Sequence, residues 1–152
     1  MKAVLLIMGF LSFISLNAQQ LNQEGLFVNT DGTLYTGVFA SNEKGVRFEM
    51  NIKEGKKDGT ATYYFASGKV LESGEYKNGL KENKWTRYNE SGIVSAIGFY
   101  SAGKKHGNWL VFDEHGNKRF EMNYLNGEKT GEWINWDESG AIVSTKNFGS
   151  VN

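Results

Sequence analysis

The chain contains no cysteine and no proline. Without cysteine there is no disulfide framework, no lipid-modified cysteine after an export signal and no thiolate metal site. Histidine is nearly absent too. Only His106 and His115 remain as nitrogen ligands, so no metal and no other cofactor is expected. Charge of one sign is not in excess, since Lys plus Arg and Asp plus Glu both number 17. A nucleic-acid partner, which calls for a basic surplus, is therefore not expected. Catalytic signatures are missing as well: there is no G-x-S-x-G and no H-E-x-x-H. The carboxylate pairs Asp113-Glu114 and Asp137-Glu138 recur at turns, which reads as solvated turn chemistry rather than an acid/base pair. The expectation is a protein that is not an enzyme.

Long apolar runs are absent except for one at the N-terminus. Ala3 to Leu16 is uncharged, follows Lys2 and precedes Leu16-Asn17-Ala18. It is shorter than the roughly 20 residues of a membrane-spanning helix. A positive residue, a short apolar stretch and a small residue before a polar run are the parts of a secretory signal. Residues 1–18 are read as that signal, cleaved after Ala18, and the remainder as a periplasmic, cell-surface or secreted protein.

What the chain does have is glycine, aromatics and a period. From Gly55 it repeats every 24 residues without insertion, in units 55–78, 79–102, 103–126 and 127–150. One glycine opens each unit: Gly55, Gly79, Gly103 and Gly127. Another recurs as Gly68, Gly92, Gly116 and Gly140. A lysine column holds Lys57, Lys81, Lys105 and Lys129. A tryptophan column holds Trp85, Trp109 and Trp133, with Ala61 in the first unit. Three residues on stand Tyr64, Tyr88, Phe112 and Trp136, and each unit closes on an aromatic: Tyr76, Tyr100, Tyr124 and Phe148. Residues 19–54 echo the pattern irregularly, at Asp31-Gly32, Tyr35 to Phe39 and Lys44-Gly45. They are read as a degenerate capping unit.

Each unit carries two turn signals. Asn78-Gly79 and Asn126-Gly127 suit a turn in which φ is positive, and Glu54-Gly55 and Ala102-Gly103 keep the glycine. The second signal, as in Asp113-Glu114-His115-Gly116, has Asx first and Gly fourth, the chemistry of a type I turn closed by a left-handed bulge. The segments between are aromatic and β-branched. The expected fold is all-β: an elongated, single-sheet antiparallel meander of tandem β-hairpins. The tryptophan and the second aromatic lie three apart, so they face opposite sides of a regular strand, and both faces of the sheet carry aromatics unless a bulge intervenes.

These columns resemble the bacterial variant of the MORN repeat, Tyr-x-x-Gly-x-x-x-Gly-x-Trp-x-x-Tyr-x-x-x-Gly. Tyr100, Gly103, Gly107, Trp109, Phe112 and Gly116 fill it in order, and Tyr124, Gly127, Gly131, Trp133, Trp136 and Gly140 fill it again. Asn83 stands for the second Gly in one unit, and Ala61 for the Trp in another. The resemblance implies an antiparallel β ribbon. Eukaryotic MORN proteins are linked to membrane phospholipids and protein assembly, and many bacterial relatives are labelled antitoxin-like.

Two features are candidates for binding. The lysine column lines one rim, opposite a column of Glu90, Glu114 and Glu138, and is expected to act mainly in solubilising the turns. Trp85, Trp109, Trp133 and Trp136 offer rings to a sugar or a partner strand, or form the core of a thin sheet. The functional expectation is a non-catalytic binding or scaffold module for protein or cell-surface polymer. An antitoxin-like, inhibitory or accessory envelope protein is the alternative, as is weak association with an anionic membrane. Self-association through the end strands is a further route.

Overall fold

A computed structural model describes residues 20–43 and 46–150. The signal segment 1–18 and the Lys44-Gly45 turn lie outside the described residues. The architecture is the expected one: an all-β meander with no helix among the described residues. Strands β3 (Gly37–Glu43), β4 (Val46–Lys53), β5 (Lys56–Tyr64), β6 (Val70–Lys77), β7 (Leu80–Tyr88), β8 (Val94–Ser101), β9 (Lys104–Phe112), β10 (Lys118–Leu125), β11 (Glu128–Trp136) and β12 (Ile142–Asn147) follow one another in a single 10-stranded sheet. Every neighbouring pair is antiparallel. A small sheet of β1 (Gln20–Leu21) and β2 (Phe27–Val28) precedes it.

The two turn types are those the glycines require. At the first, both central residues are left-handed: Asn78 and Gly79 at φ 51° and 86°, Asn126 and Gly127 at 51° and 94°. That is a type I′ hairpin, whose twist matches the strands it joins. The turn glycines also staple successive units together. Gly79, Gly103 and Gly127 N–H groups donate to the carbonyls of Lys57, Lys81 and Lys105, at 2.7, 2.9 and 2.8 Å. At the second turn the Asx side chain does the work. Asp137 Oδ1 accepts from Ser139 Oγ, Ser139 N and Ala141 N at 2.7, 2.9 and 3.0 Å. Those bonds, the Ser139 hydroxyl first, hold its carboxyl below the usual aspartate range. Asp137 is thereby engaged in holding the turn, while Glu138 beside it is exposed.

The opening unit is a shortened copy of the others. Tyr35 O accepts from Gly55 N–H as Lys57 O accepts from Gly79 N–H. Thr36 Oγ1 accepts from Glu54 N–H at 2.9 Å as Asp58 Oδ2 accepts from Asn78 N–H at 3.0 Å. Tyr35-Thr36 therefore stand where Lys57-Asp58 stand, two residues closer than the period. The difference falls between β3 and β4, where Glu43 pairs with Val46, while Tyr64 pairs with Val70. Residues 20–36 fold over this end and bury Phe27 and Val28. With Met50, Ile52, Ala61 and Trp85 these are the buried apolar residues among those described, and the densest core sits under the cap.

Ala102 occupies at φ 47° the type I′ position that Asn78 and Asn126 fill in two other units. Left-handed backbone disfavours an L-residue by roughly 1–2 kcal/mol, and Asn relieves part of that. Ala102→Asn is expected to raise the urea midpoint with an unchanged slope. A midpoint equal to or below that of the parent would contradict the turn assignment.

Candidate functional site

The tryptophans mark how a sheet with one layer makes a core. Opposite each sits a column that sequence reasoning overlooked: Gly74, Gly98 and Met122, spaced at the same period. Trp85 lies flat on Gly74, where a Cβ would overlap the indole, and Trp109 lies on Gly98, where a Cβ would meet the ring at 2.5 Å. Glycine inside a strand usually marks such a close approach, and this was the available signal.

A bulge turns each indole into place. Between Ile97↔Leu110 and Phe99↔His106, three residues of β9 (Gly107, Asn108 and Trp109) face the single Gly98. The same three-to-one arrangement sets Trp85 against Gly74 and Trp133 against Met122. The bulge needs left-handed backbone, supplied by Gly107 and Gly131 at φ 68° and 58°. Asn83 takes it at 55°, so this departure from the repeat keeps the geometry, as Asn can. Each indole N–H then donates to a backbone carbonyl: Trp85 to Glu75 at 3.1 Å, Trp109 to Phe99 at 3.0 Å and Trp133 to Asn123 at 3.0 Å.

The rings join into one ladder. It runs Phe27, Phe39, Phe48, Tyr63, Trp85, Tyr100, Trp109, Tyr124, Trp133, Phe148, with centroids 4.8 to 6.3 Å apart. Tyr76 packs edge-on to Trp85 at 5.2 Å, and burial pushes its hydroxyl pKa well above the ordinary tyrosine value, with help from the neighbouring Tyr63 hydroxyl. Tilted and edge-to-face pairs of this kind add about 0.5–1.5 kcal/mol each beyond their buried area.

The lysine column reaches back over the sheet, with Lys57, Lys81 and Lys105 half-buried and Lys129 exposed. It covers the ladder. Lys81 Nζ lies 3.6 Å from the Trp85 ring centroid, Lys105 4.3 Å from Trp109 and Lys129 4.6 Å from Trp133. Lys57 has no indole beneath it, because its unit carries Ala61, and its Nζ is 5.2 Å from Tyr76. Lys81 also meets Glu72 at 3.4 Å. A cation over a ring contributes about 0.5–1 kcal/mol where exposed and more where dry. Three of the four candidate tryptophans are thus brought together with the lysines on one face.

Trp136 is not among them. Along β7 alternation holds from Trp85 to Tyr88, because the extra residue of that pair lies on β8 between Arg87↔Ala96 and Tyr88↔Val94. The column Tyr64, Tyr88, Phe112, Trp136 therefore lies on the opposite face, and both faces carry aromatics. Lys118 caps Trp136 at 4.2 Å and Arg47 caps Tyr64 at 3.9 Å. Glu90, Glu114 and Glu138 are exposed at the second turns. His115 lies at one of these turns, 3.7 Å from Glu114. His106 Nδ1 is buried without a hydrogen-bond partner.

The family model described as the MORN repeat variant matches residues 57–78 and 105–126. Both segments begin at a lysine of the column and contain the tryptophan or alanine position. No curated protein matches the chain. A solved structure, that of accessory secretory protein 1, 2 and 3 in Streptococcus pneumoniae, is similar at 16% identity and a TM-score of 0.37. The match covers 82% of this chain and 22% of that one, and at that score it carries no argument.

Gly98→Ala isolates the seat. The new methyl drives into the Trp109 indole, and overpacking of this sort costs about 1–3 kcal/mol. A loss of that size in denaturant unfolding is expected, with a shift in indole fluorescence. Stability equal to the parent would mean that the ring does not lie on Gly98.

Proposed function

We propose that this protein is an exported, non-catalytic binding module whose working surface is the lysine-topped ladder, and whose partner is an anionic cell-surface polymer or a protein presenting regularly spaced acidic groups. The observation that carries this reading is the placement of Lys81, Lys105 and Lys129. One ammonium per hairpin recurs on one face, two strands apart, or about 10 Å. A MORN-type repeat is suited to such a role, since its period is transmitted to whatever lies along it. The N-terminal signal supports the envelope as the place where such a polymer is met.

The magnitude of the interaction bounds the reading. Each lysine near an anionic surface contributes about 1 kcal/mol. Three of them give about 3 kcal/mol, which corresponds to affinity no tighter than the millimolar range. Tighter binding has to draw on contacts beyond the row. A strand edge is one such source: among the described residues β12 has a neighbour on one side only, and Ile142 and Val143 are each 60% exposed.

Titration with polygalacturonate tests the row. Weak, about millimolar binding that fades as salt is added is expected, and Lys81→Gln with Lys105→Gln and Lys129→Gln should remove it. Binding that is indifferent to salt, or intact in a folded triple variant, would exclude the lysines as the contact.

A further inference from the structure

We infer that the trough between the N-terminal cap and strands β3 to β5 is a binding site for a single-chain amphiphile with an anionic head, of the long-chain fatty-acid type. The tandem units act as controls for one another. Side chains alternate along a strand. On β4 the ladder side carries Val46, Phe48, Met50 and Ile52, and the reverse side carries Arg47, Glu49, Asn51 and Lys53. The ladder side of β4 is thus apolar from end to end. One unit on, Glu72 and Arg87 take the place of the Phe48–Tyr63 pair, and Trp85 covers the strand at Gly74. Over β4 there is instead a cavity of about 680 Å³. Its walls include Phe39, Phe48, Met50 and Tyr63, and the cap contributes Leu21 and Phe27. The volume lies within the range of small-molecule sites, which are mostly apolar with a few placed polar groups.

Length and charge specify the ligand. Lys57 and Glu43 both line the cavity. Lys57 is in register with Ile52 and Glu43 with Val46. The two therefore stand about six residues, or about 20 Å, apart along β4. One acyl chain, half of the roughly 30 Å hydrocarbon core of a bilayer, is about 15 Å long. Such a chain with its head group spans the trough. Lys57 is half-buried, and among the described residues it is in no ion pair, while Lys81, one unit on, meets Glu72. An ammonium without a counter-ion at one end attracts a carboxylate, and Glu43 repels it from the other. The head then lies at Lys57 and the tail runs along β4 towards Glu43. The site draws on none of Lys81, Lys105 and Lys129, so its failure leaves the polymer reading untouched.

Calorimetric titration of the full protein with saturated fatty acids, below the concentration at which they form micelles, tests the assignment. Dodecanoate is expected to occupy one site. Each methylene added from octanoate upward should tighten binding about fourfold, until the trough is full. Ser41 lines the cavity from the edge strand β3, so Ser41→Trp fills it and should abolish binding with the β-sheet circular dichroism retained. If that variant does not fold, Leu21→Gln replaces it. Leu21 is 59% exposed, and loss of its apolar contact with the chain should weaken dodecanoate about tenfold. Lys57→Gln should weaken dodecanoate about tenfold, the size of a lost hydrogen bond to a charged group, and leave dodecanol unchanged. The proposal is overturned if dodecanoate does not bind below its micellar concentration, if affinity is indifferent to chain length, if the folded trough variant binds as the parent does, or if Lys57→Gln fails to separate the acid from the alcohol.

Discussion

A sheet with nothing stacked against it has to keep water from its own backbone, and in this chain an indole lying flat on a glycine does so. The ring is pressed to the sheet because Gly74 and Gly98 lack a side chain, its N–H is satisfied by a carbonyl of the neighbouring strand that carries the glycine, and a lysine closes it from above. Remove any of these parts and the others lose their purpose. A Cβ at the seat lifts the ring, an unpaired indole N–H in a dry place is unfavourable, and a bare ring face is left to water. The tyrosines between successive indoles make this local arrangement continuous, so that each hairpin is held by its neighbours as in other one-dimensional repeats.

The backbone irregularities follow from the same need. An even antiparallel ladder would point the tryptophan where alternation puts it, not where the glycine is. Three residues facing one re-aim the side chain, and the left-handed residue at Gly107 or Asn83 makes the bulge possible. Four recurring features of the period are therefore one device: the bulge glycine, the tryptophan, the seat two strands' breadth from the next, and the lysine. The cap solves the remaining problem at the end of the array, where no earlier unit is available, by folding Phe27 onto Phe39 at 4.8 Å.

Much of this was legible in the sequence, and for identifiable reasons. Turns are written in single residues, so Asn78-Gly79 and Asp137 to Gly140 announced both hairpin types. The unbroken period implied the meander, and spacing of three placed Trp136 opposite Trp133. What could not be read is what depends on contacts between strands. The seat at Gly74 and Gly98 pairs residues from different strands, and its third member is Met122, which hides the column. The lysines were read as rim charges because their backbone does lie by the turn. A long flexible side chain reaches back over the ladder, and the sequence has no mark for that. The two-residue shortening of the opening unit was visible only as irregular spacing until Thr36 and Asp58 were seen to accept equivalent bonds.

Exchange of the four indole N–H protons with solvent, followed by NMR, bears most directly on the ladder. Three of them are bonded to backbone carbonyls under a lysine, and Trp85, at 3% exposed, is the best buried. Slow exchange at Trp85, Trp109 and Trp133, with Trp85 the slowest and Trp136 near the solvent rate, is the predicted result. Protection at Trp136 equal to that of the other three, or solvent-rate exchange at all four, would show that the indoles do not hold this sheet together.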